Sequence, residues 1–173
     1  MTAARPEPGS EVPKEVVIAA TSSEVTVRFD WTPVGPISAS SDGLTLRWPS
    51  LPAGSGVYRF TLQLGSRTRF YIGETDGFKR RFAHYANPGP TQSTNVKMKA
   101  RLLTLLGQYR GTAELHVATA VTLAVAGVAV DASNLPDVFV RRLLENAALV
   151  AVAADGGEIF NGKGFPSGEL WPT

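Results

Sequence analysis

Cysteine is absent from the 173 residues, which excludes a disulfide framework, a Cys-ligated zinc and a thiol nucleophile. Histidine is nearly absent too: His84 stands alone, and His116 sits in an apolar run where it reads as a core residue. Without a second histidine at metal-ligand spacing, a zinc site is not expected. No glycine-rich loop ends in Gly-Lys-Ser/Thr, so neither a nucleotide-hydrolysing motor nor a nucleotide cofactor is expected. The most apolar stretch, 117–130, is interrupted by Thr119 and Thr122 and falls short of the roughly 20 residues that cross a bilayer. The first 20 residues hold prolines and acids where a signal peptide needs a basic end and an apolar run. A soluble cytoplasmic protein with no membrane partner is the expectation.

A more telling gap is local. From Gly77 to Gly111 there is no Asp or Glu, yet the same window holds Lys79, Arg80, Arg81, Lys97, Lys99, Arg101 and Arg110. The whole chain has a net charge of only +2, so positive charge is gathered in the middle and acids in the flanks. Such a window suits a polyanion better than the overall balance does. Hydrophobic residues at 43% and charged residues at 18% are those of a globular chain with one core domain.

Residues 1–14 lack apolar periodicity and suit a flexible tail. A β-rich extension over 15–50 follows, with strands expected at 24–31 and 44–49 that pair as a small hairpin. The runs GVYRFTLQL and RTRFYIG are joined by Gly65 and Ser66, a glycine-first turn that favours a tight antiparallel hairpin. A helix through GFKRRFAHYA, capped by Thr75 or Asp76, puts Phe78, Phe82 and Tyr85 on one face. A second basic helix, capped by Thr94 or Asn95, ends near Gly107. The run 113–130 predicts one or two strands, and a longer helix starts at Pro136. The order predicts an α+β fold with a small antiparallel sheet of about three central strands flanked by helices.

The spacing of Gly56-Val57-Tyr58, Tyr71-Ile72-Gly73 and Arg81 resembles the GIY-YIG nuclease family, whose tripeptides sit on a hairpin and whose arginine sits on the next helix. RRLLENAALV looks like the helix bearing that family's metal-binding glutamate, here Glu145, and IFNGKG supplies its asparagine as Asn161. Tyr85 stands where members carry Tyr or His, with His84 as a one-residue alternative. The likeness covers roughly residues 52–163, within a GIY-YIG-like domain assigned to 51–173. It implies a metal-dependent DNA endonuclease using Mg2+ or Mn2+. Glu74, directly after the Tyr-Ile-Gly, departs from the small or basic residue common there, and the family pattern explains neither the extension nor the Ala/Val-rich segment.

The chemistry also follows from the residue types. Phosphodiester hydrolysis needs an activated water, charge compensation on the phosphate oxygens and an eased leaving group. Glu145 offers one carboxylate, and magnesium is content with one or two; with no paired Asp this points to a single metal. Arg81 presents a planar fork matched to phosphate oxygens. Tyr58 and Tyr71 lie on neighbouring strands, and Tyr71 is the expected general base, with Tyr58 positioning or sharing that role. Lys79, Arg80, His84, Lys97, Lys99 and Arg101 are expected to contact nucleic acid, with Gln92, Thr94 and Asn95 of the amide-rich loop lining the groove. Taken singly, each residue has an ordinary structural role: a rim tyrosine, a solvated arginine, a turn asparagine. Two other functions are consistent with the sequence: a catalytically inactive GIY-YIG-like module that only binds nucleic acid, and a structural domain docking a partner through its N-terminal strands.

Overall fold

The computed structural model describes residues 24–130 and 135–161. The tail expected at 1–14, the beginning of the 15–50 extension and the last residues of the 51–173 domain lie outside the described residues. At the centre is a nine-residue hairpin pair, β5 (Gly56–Leu64) and β6 (Arg67–Thr75). Their alternating apolar residues favour strands, and Gly65 takes φ 57° in the turn, a left-handed value that glycine adopts without strain. In antiparallel register Tyr58 faces Gly73 and Phe60 faces Tyr71.

β7 (Thr112–Ala118) lies antiparallel to β5 on its other side. β2 (Thr32–Pro36) closes that edge with a register shift between Pro33 and Gly35, a position where proline's missing N–H is tolerated. β10 (Glu158–Ile159) runs parallel to β6, giving the order β10-β6-β5-β7-β2. Smaller sheets are formed by β1 (Val25–Phe29), β8 (Val121–Val125) and β9 (Val128–Val130), and by β3 (Ser38–Ala39) with β4 (Leu46–Arg47). The fold is α+β, with antiparallel sheet between helices, as the element order predicts.

Several local expectations are corrected. Strand 24–31 does not pair with 44–49: β1 pairs with β8 and β4 with β3, because the Ala/Val-rich run supplies three strands and offers β1 an edge. Neither Thr75 nor Asp76 caps the first helix, α1 (Phe78–Ala86); Gly77 is its N-cap residue. The Thr75 hydroxyl accepts instead from Gly77 N at 3.0 Å, and Asp76 is paired with Arg80. The second helix, α2 (Ser93–Leu103), begins before Thr94 and Asn95, which lie in its first turn, and runs into a π-helical turn, Thr104–Gln108. The third, α3 (Val138–Ala154), is capped by Asp137, which accepts from Phe139 N and Val140 N at 2.7 and 3.1 Å; Pro136 precedes that cap.

Strand alternation divides the core in two. Tyr58, Phe60, Leu62 and Tyr71 pack with Phe78, Phe82 and Tyr85 of α1 and with Met98 and Leu102 of α2. Val57, Ile72 and Ala118 point the other way and pack with Leu135, Leu144 and Ala148. Hence α1 and α2 cover one face of the sheet and α3 the other.

Candidate functional site

The tyrosine face is built by two close approaches. At Gly73 a Cβ would fall 2.3 Å from the Tyr58 hydroxyl and 2.4 Å from its ring carbon Cζ; at Gly56 it would fall 2.5 Å from the Ala118 carbonyl and 2.9 Å from Phe78 Cζ. The two glycines are needed because other atoms occupy the space a side chain would fill. Gly73 lets Tyr58 lie flat across β6, and Gly56 lets α1 start against the sheet.

Tyr58, Tyr71 and Tyr85 then converge. The Tyr85 hydroxyl lies 2.8 Å from that of Tyr58 and 3.1 Å from that of Tyr71. Arg81, one turn before Tyr85 on α1, donates from Nε to the Tyr58 hydroxyl at 3.0 Å and from a terminal nitrogen to that of Tyr85 at 2.9 Å. Its guanidinium carbon also sits 4.6 Å from the Tyr85 ring centroid. Each hydroxyl has one proton and two lone pairs, so Tyr85 uses all its capacity. Relative exposure is 0% for Tyr58 and Tyr85 and 8% for Tyr71. Burial first, then the neighbouring tyrosine oxygens, push the Tyr58 and Tyr85 hydroxyls well above the ordinary tyrosine range, and Arg81 only partly opposes this. Those two stay protonated near neutral pH. Trp48, from the N-terminal extension, packs on the cluster, its ring centroid 4.7 Å from Phe82 and 6.1 Å from Tyr85; no local pattern in the chain points to that role.

Glu145 is on α3, in the opposite layer. The buried stripe Arg141, Leu144 and Ala148 brings it half-buried toward the sheet at helical spacing. Burial and the nearby Glu74 raise its proton affinity, while Arg81 and Arg142 lower it. No cation lies within ion-pair distance of Glu145 among the described residues. Glu74 is in the opposite situation. Arg141 donates to its carboxylate from Nε at 2.6 Å, and from another nitrogen to the carbonyls of Leu135, at 3.0 Å, and Pro136. The Glu74–Arg141 side chains are 22% and 7% exposed. The acid that the sequence left unexplained is therefore the counter-ion of a buried arginine. Arg141 was missed; the available signal was its position four residues before Glu145 on one helix face.

Asn161 bonds to the backbone next to Tyr71 and not to the tyrosine hydroxyls. Its side-chain oxygen accepts from Ile72 N at 2.8 Å and its amide donates to Ile72 O, prolonging the β10–β6 ladder as a side-chain peptide group. Of the remaining expected residues, Lys79, Arg80, His84, Thr94 and Lys97 are exposed and Lys99 is half-buried. Arg80 is engaged by Asp76, and Arg101 lies 4.9 Å from the Phe160 ring centroid. Asn95 is buried and donates to Gln92 Oε1 at 3.0 Å, which also accepts from Gly89 N at 3.3 Å. These two amides bond to each other and to the loop backbone. His84 points away from the cluster that Tyr85 enters.

The residues present fit one hard divalent cation: Glu145 is a half-buried carboxylate without an ion-pair partner, and a half-buried acid calls for one. No group of three or more His, Cys, Asp or Glu residues able to hold a metal occurs among the described residues. No helix among them is long and apolar enough to cross a membrane.

No protein-family model matches the sequence, and no curated protein matches it. Among solved structures, three chains match; one of them is a mutant of EndoII from bacteriophage T4, with a TM-score of 0.38 and 17% identity. That likeness spans 51% of this chain and 64% of the EndoII chain. It is a weak structural neighbour over about half of the molecule.

Proposed function

We propose that the protein is a metal-dependent nuclease of the GIY-YIG type that hydrolyses phosphodiester bonds in DNA. The observation that carries this reading is the network in which Arg81 fixes the hydroxyls of Tyr58 and Tyr85 at 3.0 and 2.9 Å while Tyr85 reaches Tyr71. A solely structural tyrosine cluster has no need of a guanidinium. A half-buried arginine there holds positive charge ready for a phosphate oxygen, without reorganisation at the moment of reaction.

Tyr71 is the least buried of the three tyrosines, 8% exposed against 0% for the others, so it is the one assigned to hold the attacking water. With its proton directed to Tyr85, its oxygen accepts a hydrogen bond from that water and orients it, while Tyr85 and Tyr58 keep their own protons; the proton the water loses on attack passes to solvent, and the departing oxygen takes one from solvent. Tyr58 keeps Arg81 in place, and Arg81 compensates charge developing on the phosphate. Asn161 acts indirectly by fixing the backbone of Ile72 between Tyr71 and Gly73. Glu145 is the residue that would hold Mg2+ or Mn2+, which supplies Lewis-acid stabilisation of the phosphate and the leaving oxygen.

The full burial of the Tyr58 and Tyr85 hydroxyls favours a second reading, a module that binds nucleic acid without cutting it. Incubation with supercoiled plasmid separates the two. Nicking that needs Mg2+ or Mn2+ and stops with EDTA supports the nuclease. Salt-dependent binding insensitive to EDTA, with no cleavage in any divalent metal, supports the binding module.

A further inference from the structure

The opposite face of the same hairpin carries charge that the nuclease reading does not use. Arg59 is on β5 between Tyr58 and Phe60 and so points away from the tyrosines. In register it lies beside Ile72 of β6 and His116 of β7, while Thr61, two residues on, lies beside Phe70 and Glu114. Trp31 and Phe70 flank the guanidinium, whose carbon is 4.8 and 5.5 Å from their ring centroids.

This arginine has no acid partner among the described residues. Glu74 on that face is committed to Arg141, and Glu114 is exposed at the rim without an ion pair to Arg59. Three buried polar atoms in the patch also lack hydrogen-bond partners: Arg59 Nε, Thr61 Oγ1 and His116 Nδ1. Register puts them on one face of two adjacent strands. Unpaired buried polar atoms are uncommon, and each is destabilising. One of the three belongs to the half-buried guanidinium itself, and with the hydroxyl and imidazole near it in register it forms a set that one multi-oxygen anion would complete.

We propose that this face carries an oxyanion site, with Arg59 as its charge, Thr61 and His116 as its hydrogen-bonding walls, and the phosphate group of a nucleotide or nucleic-acid strand as its ligand. Phosphate fits better than carboxylate because it presents oxygens in several directions at once, toward the arginine fork, the hydroxyl and the imidazole. The two rings lie within cation–π range of the guanidinium carbon and favour its charged form in place. His116 is kept neutral, first by burial and then by Arg59, and a neutral imidazole can donate from one nitrogen. The proposal is independent of whether the tyrosine face cuts DNA.

The test follows the Arg59 Nε–H and Trp31 indole resonances of the full chain by NMR during titration with inorganic phosphate, a deoxynucleoside monophosphate and a short single-stranded oligodeoxynucleotide. Saturable shifts of both signals are expected in the parent, with the Trp31 shift, the reporter in the Arg59 variants, lost in Arg59→Gln, and with affinity weakened about 5- to 10-fold in Thr61→Val and His116→Gln, as for one hydrogen bond each. Tighter binding of the oligonucleotide than of the monophosphate identifies a strand as the ligand; equal or weaker binding identifies a free nucleotide. Arg59→Lys keeps the charge without the fork and should bind more weakly than the parent even if Arg59→Gln does not fold. Absence of saturable shifts with all three probes, or parent-like binding by Arg59→Lys, overturns the proposal.

Discussion

The two faces of the central sheet treat buried polarity in opposite ways. On the α1 face, Tyr58, Tyr71, Tyr85 and Arg81 bond to one another. On the α3 face, Glu74 and Arg141 form a buried pair, but Glu145 and Arg59 have no ionic partner among the described residues. Strand alternation assigns these roles, since neighbouring residues Tyr58 and Arg59, or Gly73 and Glu74, belong to different faces. The comparison teaches that the tyrosines and Arg81 of the α1 face are preorganised by one another, although Trp48 Nε1 beside them lacks a hydrogen-bond partner, whereas the α3 face holds two charges without an ionic partner among the described residues.

The most severe way to break the first face is Gly73→Ala. Its Cβ would overlap the Tyr58 hydroxyl and ring, so a stability loss of about 1–3 kcal/mol or more is expected in denaturant melts, together with loss of the tyrosine network. Adding Tyr58→Phe should not restore stability, because ring carbons are also within 2.9 Å of that Cβ.

Arg141 tests the paired half of the other face. Arg141→Leu leaves Glu74 without its counter-ion, and about 3 kcal/mol of destabilisation is expected, at the low end for a buried pair because Glu74 keeps some access to water. The double variant Glu74→Leu with Arg141→Leu should recover most of that loss in the same melts.

Glu145 tests the unpaired half, with a smaller and opposite effect. A carboxyl whose proton affinity is higher in the folded than in the unfolded chain favours folding below the ordinary carboxylate pKa, and that contribution is lost as pH rises through the folded value. Glu145→Gln should therefore melt a few degrees higher than the parent at neutral pH, with the difference vanishing below about pH 4. The smallest effect belongs to the exposed rim. Lys79→Ala should reduce the slope of log K for duplex DNA against log salt by about 0.9, and Arg80→Ala by less, because Asp76 already engages that arginine.

How far the sequence foretold this structure depends on the separation of the partners. The hairpin was legible because two alternating runs flank a Gly-Ser turn, and the α1 face because Phe78, Phe82 and Tyr85 recur at helical spacing. The cap residues were misread because Thr75, Asp76 and Asn95 found closer partners than the helix ends. Most opaque were the pairings set only by the folded chain. Glu74 meets Arg141 67 residues away, Asn161 meets Ile72 89 residues away, and β1 finds β8 across the entire central domain. No local pattern encodes such partners. In the candidate site, Tyr58, Tyr71, Arg81 and Glu145 stood out only through their joint spacing, whereas Glu74 could be understood only with Arg141 in view.

The most direct test is nicking of supercoiled plasmid by the parent, Tyr71→Phe and Glu145→Gln in saturating Mg2+, each variant first checked for a cooperative melt. The account predicts metal-dependent nicking by the parent, a drop of about 10²- to 10⁴-fold for Tyr71→Phe and no detectable nicking by Glu145→Gln, although that variant is the more stable protein. A parent that does not nick above background, or a Glu145→Gln variant that nicks at the parent's rate, contradicts it.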